Sequence, residues 1–205
     1  MENIFLIFAY LVGSISFAII ISKFFKLDDP RTYGSNNAGA TNVLRTGNKK
    51  AAILTLLGDG LKGLFVVLVG QHYFLNMVDH HAYHLGLIAC GGIFVVLGHI
   101  FPIFFNFKGG KGVATALGVI LGFNVIVGLL VVASWLITFK ISKVSSLSAL
   151  IATILAPIYA FIMMGNNAYF GAVAVIGCCI LFTHKQNIYR LVKKEETKIT
   201  HNKQH

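Results

Sequence analysis

Charge is what this sequence has least of. Charged residues make up 12% of the 205, and Asp and Glu together number seven, whereas soluble domains carry about 25% charged residues. Such a low share excludes an ordinary water-soluble domain. The 56% hydrophobic content and mean hydropathy of +0.77 point to a chain buried in a bilayer. Proline is nearly missing too, at three residues. No Pro/Ser-rich linker, internal repeat or low-complexity tract divides the chain, so residues 1–205 are expected to form one domain. The three cysteines, Cys90, Cys178 and Cys179, all lie in apolar runs. That favours small core residues over a disulfide framework or thiolate metal site. The first apolar run lacks a basic leader and a small-residue cleavage site, and reads as a retained span, not a signal peptide.

Long apolar runs are what the chain does have. Residues 4–22, 51–70, 85–105, 113–139, 147–164 and 168–183 are each near or above the roughly 17 residues that cross a bilayer. The fourth is ambiguous. As one helix it would be about 40 Å long in a core of about 30 Å; divided near residues 122–124 it gives two short spans. The positive-inside rule favours division. With a hairpin there, Lys23, Lys26, Arg31, Arg45, Lys49, Lys50, Lys108, Lys111, Lys140, Lys143 and the basic tail share one side, and of 17 basic residues only Lys62 lies within a span. The expected fold is all-α and polytopic: seven transmembrane helices, N-terminus outside and C-terminus cytoplasmic. The outer loop 72–84 carries four histidines but no nearby carboxylate except Asp79, and no metal site is expected there.

The unusual chemistry collects on the cytoplasmic side. Between the first two spans, Gly34, Gly39 and Gly47 permit turns, Ser35, Asn37, Thr41 and Asn42 offer donors, and Arg45 offers a guanidinium fork suited to phosphate. Between the third and fourth runs, "NFKGGKGVAT" sets Lys108 and Lys111 around Gly109 and Gly110 and ends in Gly112 just before an apolar helix. Bare N–H groups and a helix dipole there favour an anion, although a tight turn would use the same residues. It is not the nucleotide P-loop, because Phe105 and Gly112 stand where that motif needs Gly and Ser/Thr. Ser145 and Ser146 open another helix, as N-caps or as ligands. In "HKQNIYRLVKKEETK", His184 and Asn187 share a helical face, with Arg190 a turn on. Asp59 and Lys62, also three apart and inside a span, form either a neutralised structural pair or a substrate contact. The surface as a whole suits phosphates, more than one of them. Clustering at one face, without repeated halves, argues against a secondary transporter.

Taken together, "GSNNAGATNVLRT", "GHIFPIFFNFKGGKGVAT" and "HKQNIYRL", with "GDGLKG" in the second span, resemble the three ordered motifs of the bacterial membrane-bound acyl-phosphate:glycerol-3-phosphate acyltransferases, the PlsY family. Asn36 and Ala38 depart from the residues usual there. Lys194 replaces a glycine, so either Glu195 or Glu196 stands for the closing acidic residue. The resemblance implies transfer of an acyl chain from acyl phosphate to the sn-1 hydroxyl of glycerol 3-phosphate, giving lysophosphatidic acid and inorganic phosphate at the cytoplasmic face of the bacterial inner membrane. It implies no coenzyme A, nucleotide, metal or other cofactor. The implied partners are glycerol 3-phosphate, acyl phosphate, membrane lipid and an upstream enzyme that forms the acyl phosphate, with no nucleic acid among them. No histidine here is followed five positions later by aspartate, so the acyl-CoA-dependent acyltransferase site is absent. By the same resemblance Ser35, Arg45 and His184 carry catalysis, and Asn42, Lys108, Gly109, Gly110, Lys111, Gly112, Ser145 and Asn187 bind substrate. Either His184 or a substrate phosphate serves as the base, and either Lys108 or Lys111 meets a given phosphate.

Overall fold

The computed structural model describes residues 2–75 and 81–198. Among them the secondary structure is helical, with no strand. In chain order the helices are α1 (Glu2–Gly13), α2 (Phe17–Phe24), α3 (Ala40–Leu44), α4 (Lys49–Phe74), α5 (His81–Ile100), α6 (Val113–Phe123), α7 (Val125–Ser142), α8 (Ser145–Met164), α9 (Ala168–Thr183) and α10 (Lys185–Val192). Apolar composition dictates helix here, because in hydrocarbon every backbone group must be satisfied within its own segment. Asparagines mark three starts: the side chains of Asn48, Asn124 and Asn167 accept hydrogen bonds from the amides of Ala51, Val127 and Phe170 at 3.0–3.1 Å.

Among the described residues, five helical segments are long and apolar enough to cross a membrane, and α9 and α10, bent by 61° to each other, would make a sixth if taken as one span. The ambiguous run of residues 113–139 is two helices, α6 and α7, meeting at Asn124. α6 has only 11 residues. The first run, read from sequence as one uninterrupted span, is interrupted between Gly13 and Phe17. What tolerates the break is Lys62 of α4, whose buried ammonium donates to the carbonyls of Gly13 (2.9 Å) and Ile15 (2.6 Å) and pairs with Asp59 (2.9 Å). The Asp59–Lys62 pair thus closes a gap in the neighbouring span, and Asp59 also lines the cavity described below.

Backbone contact between helices fixes the bundle. A Cβ on Gly63 would stand 2.2 Å from the Thr115 carbonyl oxygen, and one on Gly118 would stand 1.9 Å from that of Gly60, so α4 and α6 touch through bare backbone. The same device joins α1 to α5 at Gly13 and Gly98. Of the histidine-rich loop, Asp79 and His80 lie outside the described residues; His84, on α5, stacks on Phe74 at 6.0 Å between centroids.

Candidate active site

The polar segments named from sequence meet around one cavity of about 340 Å³. Ser35, Asn42, Arg45, Lys111, Gly112, Ser145, His184 and Asn187 all line it. Their positions come from helix ends. α6 and α8 start at this cavity, presenting Gly112, Val113 and Ala114 of one and Ser145 and Ser146 of the other. Unpaired N–H groups of a helical first turn carry partial positive charge. Gly112 holds φ +89° at the N-cap of α6, a conformation that favours glycine.

One wall is a chain of hydrogen bonds. Lys111 Nζ donates to Asn187 Oδ1, and Asn187 Nδ2 donates to Glu196 at 2.7 Å. Glu196 also accepts from Ser146 Oγ at 2.9 Å and from Arg190 Nε at 2.6 Å. Burial opposes ionising Glu196, but the hydrogen bonds from Arg190, Asn187 and Ser146 outweigh it and hold the carboxyl below its usual value. Arg45 reaches the Thr197 hydroxyl at 3.2 Å, and Thr41 meets Ser145 at 3.2 Å. Burial above all brings Lys111 down to about 8; the cations of Arg190 and Arg45 add to this and Glu196 opposes it. His184, buried at the α9–α10 bend, is lowered to about 4, first by burial and then by the charge of Lys111, against its hydrogen bond to Ile180 and the charge of Glu196.

Four of the named residues have other surroundings. Asn42 lines the cavity, yet its amide is fully engaged: Oδ1 accepts from the Ser35 amide at 3.0 Å while Nδ2 donates to Pro30 and Tyr33 carbonyls at 2.6 and 3.0 Å. It builds the loop that presents Ser35. Lys108 is exposed and stands off the cavity lining, as do Gly109 and Gly110. The two glycines are packed against His99. A Cβ on Gly109 would fall 2.0 Å from the His99 carbonyl oxygen, and one on Gly110 would fall 2.2 Å from His99 Nε2 and 2.6 Å from the Ala38 oxygen. His99 itself lines the cavity, touches Lys62 at 3.0 Å through Nδ1, and accepts the Gly110 amide on its carbonyl at 3.1 Å. Sequence reasoning passed over it, although it sits inside the second motif. Of the two acidic alternatives, Glu196 lines the cavity and Glu195 does not. Lys194 adopts φ +59°, the left-handed conformation that suits the glycine of the pattern it departs from.

Beyond this mouth the cavity turns apolar, running between α6, α7, α8 and α9 past Ala116, Ile120, Ala152, Ala156, Val173 and Gly177. Leu56 of α4 and Leu136 of α7 line it while about half exposed (50% and 54%), so it opens toward the bilayer side as well. A cationic mouth on an apolar chamber inside a polytopic helical bundle is the architecture of an integral membrane enzyme of lipid chemistry. The sequence pattern of the glycerol-3-phosphate acyltransferase family matches residues 3–194, and the chain belongs to that family. A glycerol-3-phosphate acyltransferase of Herminiimonas arsenicoxydans is 50% identical over 96% of this chain and 94% of its own length. One of Coxiella burnetii is 47% identical over 95% and 96%. The crystal structure of PlsY (YgiH), an integral membrane glycerol 3-phosphate acyltransferase in its glycerol 3-phosphate form, is similar with TM-score 0.89 and 37% identity, covering 97% of this chain and 96% of that one. Its lysophosphatidic acid form gives TM-score 0.87 at 36% identity, covering 97% and 95%.

Proposed function

We propose that the chain moves a fatty acyl group from acyl phosphate to the sn-1 hydroxyl of glycerol 3-phosphate, at the cytoplasmic face of the bacterial inner membrane. The hydroxyl oxygen bonds to the acyl carbon, the bond from that carbon to the phosphate oxygen breaks, and lysophosphatidic acid and inorganic phosphate leave. One observation carries this reading: a single cavity joins a mouth of cations and helix N-termini to an apolar chamber, so a phosphate and an acyl chain can be held in one line. Acyl phosphate brings its own leaving group, and the protein needs no covalent nucleophile, coenzyme A or metal.

In this reading Arg45, Lys111, Gly112 and the α6 and α8 N-termini hold phosphate oxygens and offset charge at the reacting carbonyl. Ser35 and Ser145 supply hydroxyls, and Asn187 orients Lys111. The proton of the attacking hydroxyl passes to a substrate phosphate. A phosphate monoester, with a second pKa of about 6, arrives next to the hydroxyl, whereas burial and the charge of Lys111 disfavour a proton on His184. His184 Nε2 then accepts a hydrogen bond from substrate and orients it. Counting α6 and the bent α9 as short spans gives seven crossings with the N-terminus outside, which puts the cations and the mouth inside. An upstream enzyme must supply the acyl phosphate. The test mixes purified protein with acyl phosphate and labelled glycerol 3-phosphate in detergent, without coenzyme A or metal. Labelled lysophosphatidic acid is expected, and its absence would overturn the reading.

A further inference from the structure

The apolar chamber has a measurable depth along the two helices, α8 and α9, that line it from the mouth inward. The last lining residue of α8 away from the mouth is Ala156, eleven residues beyond Ser145, and that of α9 is Val173, eleven residues before His184. At 1.5 Å per residue each gives about 17 Å from mouth to floor. A carbon–carbon bond of about 1.5 Å at a near-tetrahedral angle advances about 1.25 Å, so this depth holds about 13 carbons beyond the reacting carbonyl.

We infer that α8 and α9 form a ruler for acyl-chain length, with Ala156 and Val173 at its floor and Ala152 and Gly177 at its middle, and that a straight chain of about 14 carbons fills it when it lies along these two helices, away from the opening at Leu56 of α4 and Leu136 of α7. The inference rests on the acyl-transfer reading above. Small residues make the ruler. Gly177 and Ala152, each seven residues from the mouth, stand about 10 Å in, at about the eighth carbon. A Cβ on Gly177 would meet Thr153 of α8 only at 3.7 and 3.8 Å, ordinary contact. The glycine is thus not forced by helix packing, in contrast to Gly63 or Gly118. The space its absent side chain leaves belongs to the chamber. On the lipid-facing side of the same helix, Gly171 meets nothing within 4 Å, and a side chain there cannot reach the acyl chain.

The experiment measures kcat/KM of the purified protein for decanoyl, tetradecanoyl and hexadecanoyl phosphate, with labelled glycerol 3-phosphate as acceptor. The wild-type protein is expected to prefer tetradecanoyl to hexadecanoyl phosphate, and Gly177→Val to lower the tetradecanoyl-to-decanoyl ratio at least about tenfold, since several methylenes lose burial worth about 0.8 kcal/mol each. Ala156→Leu is expected to lower it less, through the tetradecanoyl donor and not the decanoyl one, and Gly171→Ala to keep the wild-type profile. Should Gly177→Val yield no folded protein, Gly177→Ala and Ala156→Leu decide on the same ratio. Equal losses for all donors, or an unchanged ratio, overturn the ruler. A wild-type protein that makes no lysophosphatidic acid from any donor overturns the acyl-transfer reading instead.

Discussion

The imidazole of His184 donates through Nδ1 to the carbonyl oxygen of Ile180, 2.8 Å away. A carbonyl can only accept, so Nδ1 holds the proton and Nε2 is left as an acceptor at the cavity. With the ring lowered to about 4 by burial first and by Lys111 second, it is neutral at pH 7. A side chain that were the general base would contribute about 10²–10⁴ to the rate and would set the acid limb of the pH profile. His184→Asn, which keeps a polar group, is instead expected to lose roughly tenfold in kcat and to leave the acid limb near the phosphate pKa of about 6. Steady-state rates from pH 5 to 9 check both. A shift of that limb to a lower pH in wild type, abolished in the variant, would make His184 the base.

Lys111 sets the alkaline limb. Its ammonium is protonated below about 8 and loses its charge as pH rises through that value, so the KM for glycerol 3-phosphate is expected to rise above pH 8. A bound phosphate dianion favours the charged form, so the limb should lie at higher pH in kcat than in kcat/KM. Lys111→Gln is expected to raise KM at pH 7 and to flatten this limb. Lys108→Gln, at an exposed position off the cavity, is expected to change KM by less than about twofold.

Much of this was legible in the sequence because it is written in local patterns. The break at Asn124 follows from the length of one apolar run, and the segments that meet at the cavity each carry their hydroxyls, amides and cations as short runs in the sequence. Less legible were features closed by distant partners. The gap after Gly13 is tolerated only because Lys62, 49 residues on, supplies its donors. Asn42 looked like a ligand because its type fits one, yet its bonds to Pro30, Tyr33 and Ser35 consume it. Glycines 109 and 110 carry the composition of an anion loop, while the atoms nearest them belong to His99, Ile100, Pro102 and Ala38.

Breaking the buried cluster should be costly. Lys62→Met leaves the Gly13 and Ile15 carbonyls without their donor and Asp59 without its cation; removing one partner of a buried pair costs about 3–5 kcal/mol. Thermal unfolding in detergent is expected at clearly lower temperature for Lys62→Met, with part of the loss recovered in Lys62→Met/Asp59→Asn. An unchanged midpoint would mean that water or lipid satisfies the break.

Glu196 organises the mouth through three hydrogen bonds, from Ser146, Asn187 and Arg190. Glu196→Gln removes the charge and forces one donor to face another. kcat/KM is expected to fall about tenfold, in keeping with roughly 1.5–3 kcal/mol for a hydrogen bond to a charged group, and Glu195→Gln, on an exposed neighbour, to change little. Equal effects from the two substitutions would remove Glu196 from the site.

The glycine loop gives the last prediction. If Gly109 and Gly110 cradle phosphate directly, alanine at either should raise the KM for glycerol 3-phosphate and leave the amount of folded protein unchanged. Their surroundings call for a different result. At Gly109 the new methyl meets backbone, the His99 and Ile100 carbonyl oxygens at 2.0 and 2.8 Å, and the Pro102 ring at 2.5 Å; none of these can turn away. At Gly110 the nearest atom is the tip of the His99 ring at 2.2 Å, with the Ala38 oxygen at 2.6 Å. The ring lies against Lys62 and Asp59, so it can yield only by disturbing that cluster. Gly109→Ala is therefore expected to lower the unfolding temperature more than Gly110→Ala. Gly110→Ala is expected to combine a moderate stability loss with a raised KM, because the shifted loop carries Lys111 and Gly112 with it. Gly86→Ala, in helix α5 with nothing within 4 Å, is the control and should be neutral or slightly stabilising. Unfolding midpoints and KM values for the three variants separate the cases: raised KM at both loop positions with wild-type midpoints would return the glycines to the role of a direct phosphate cradle.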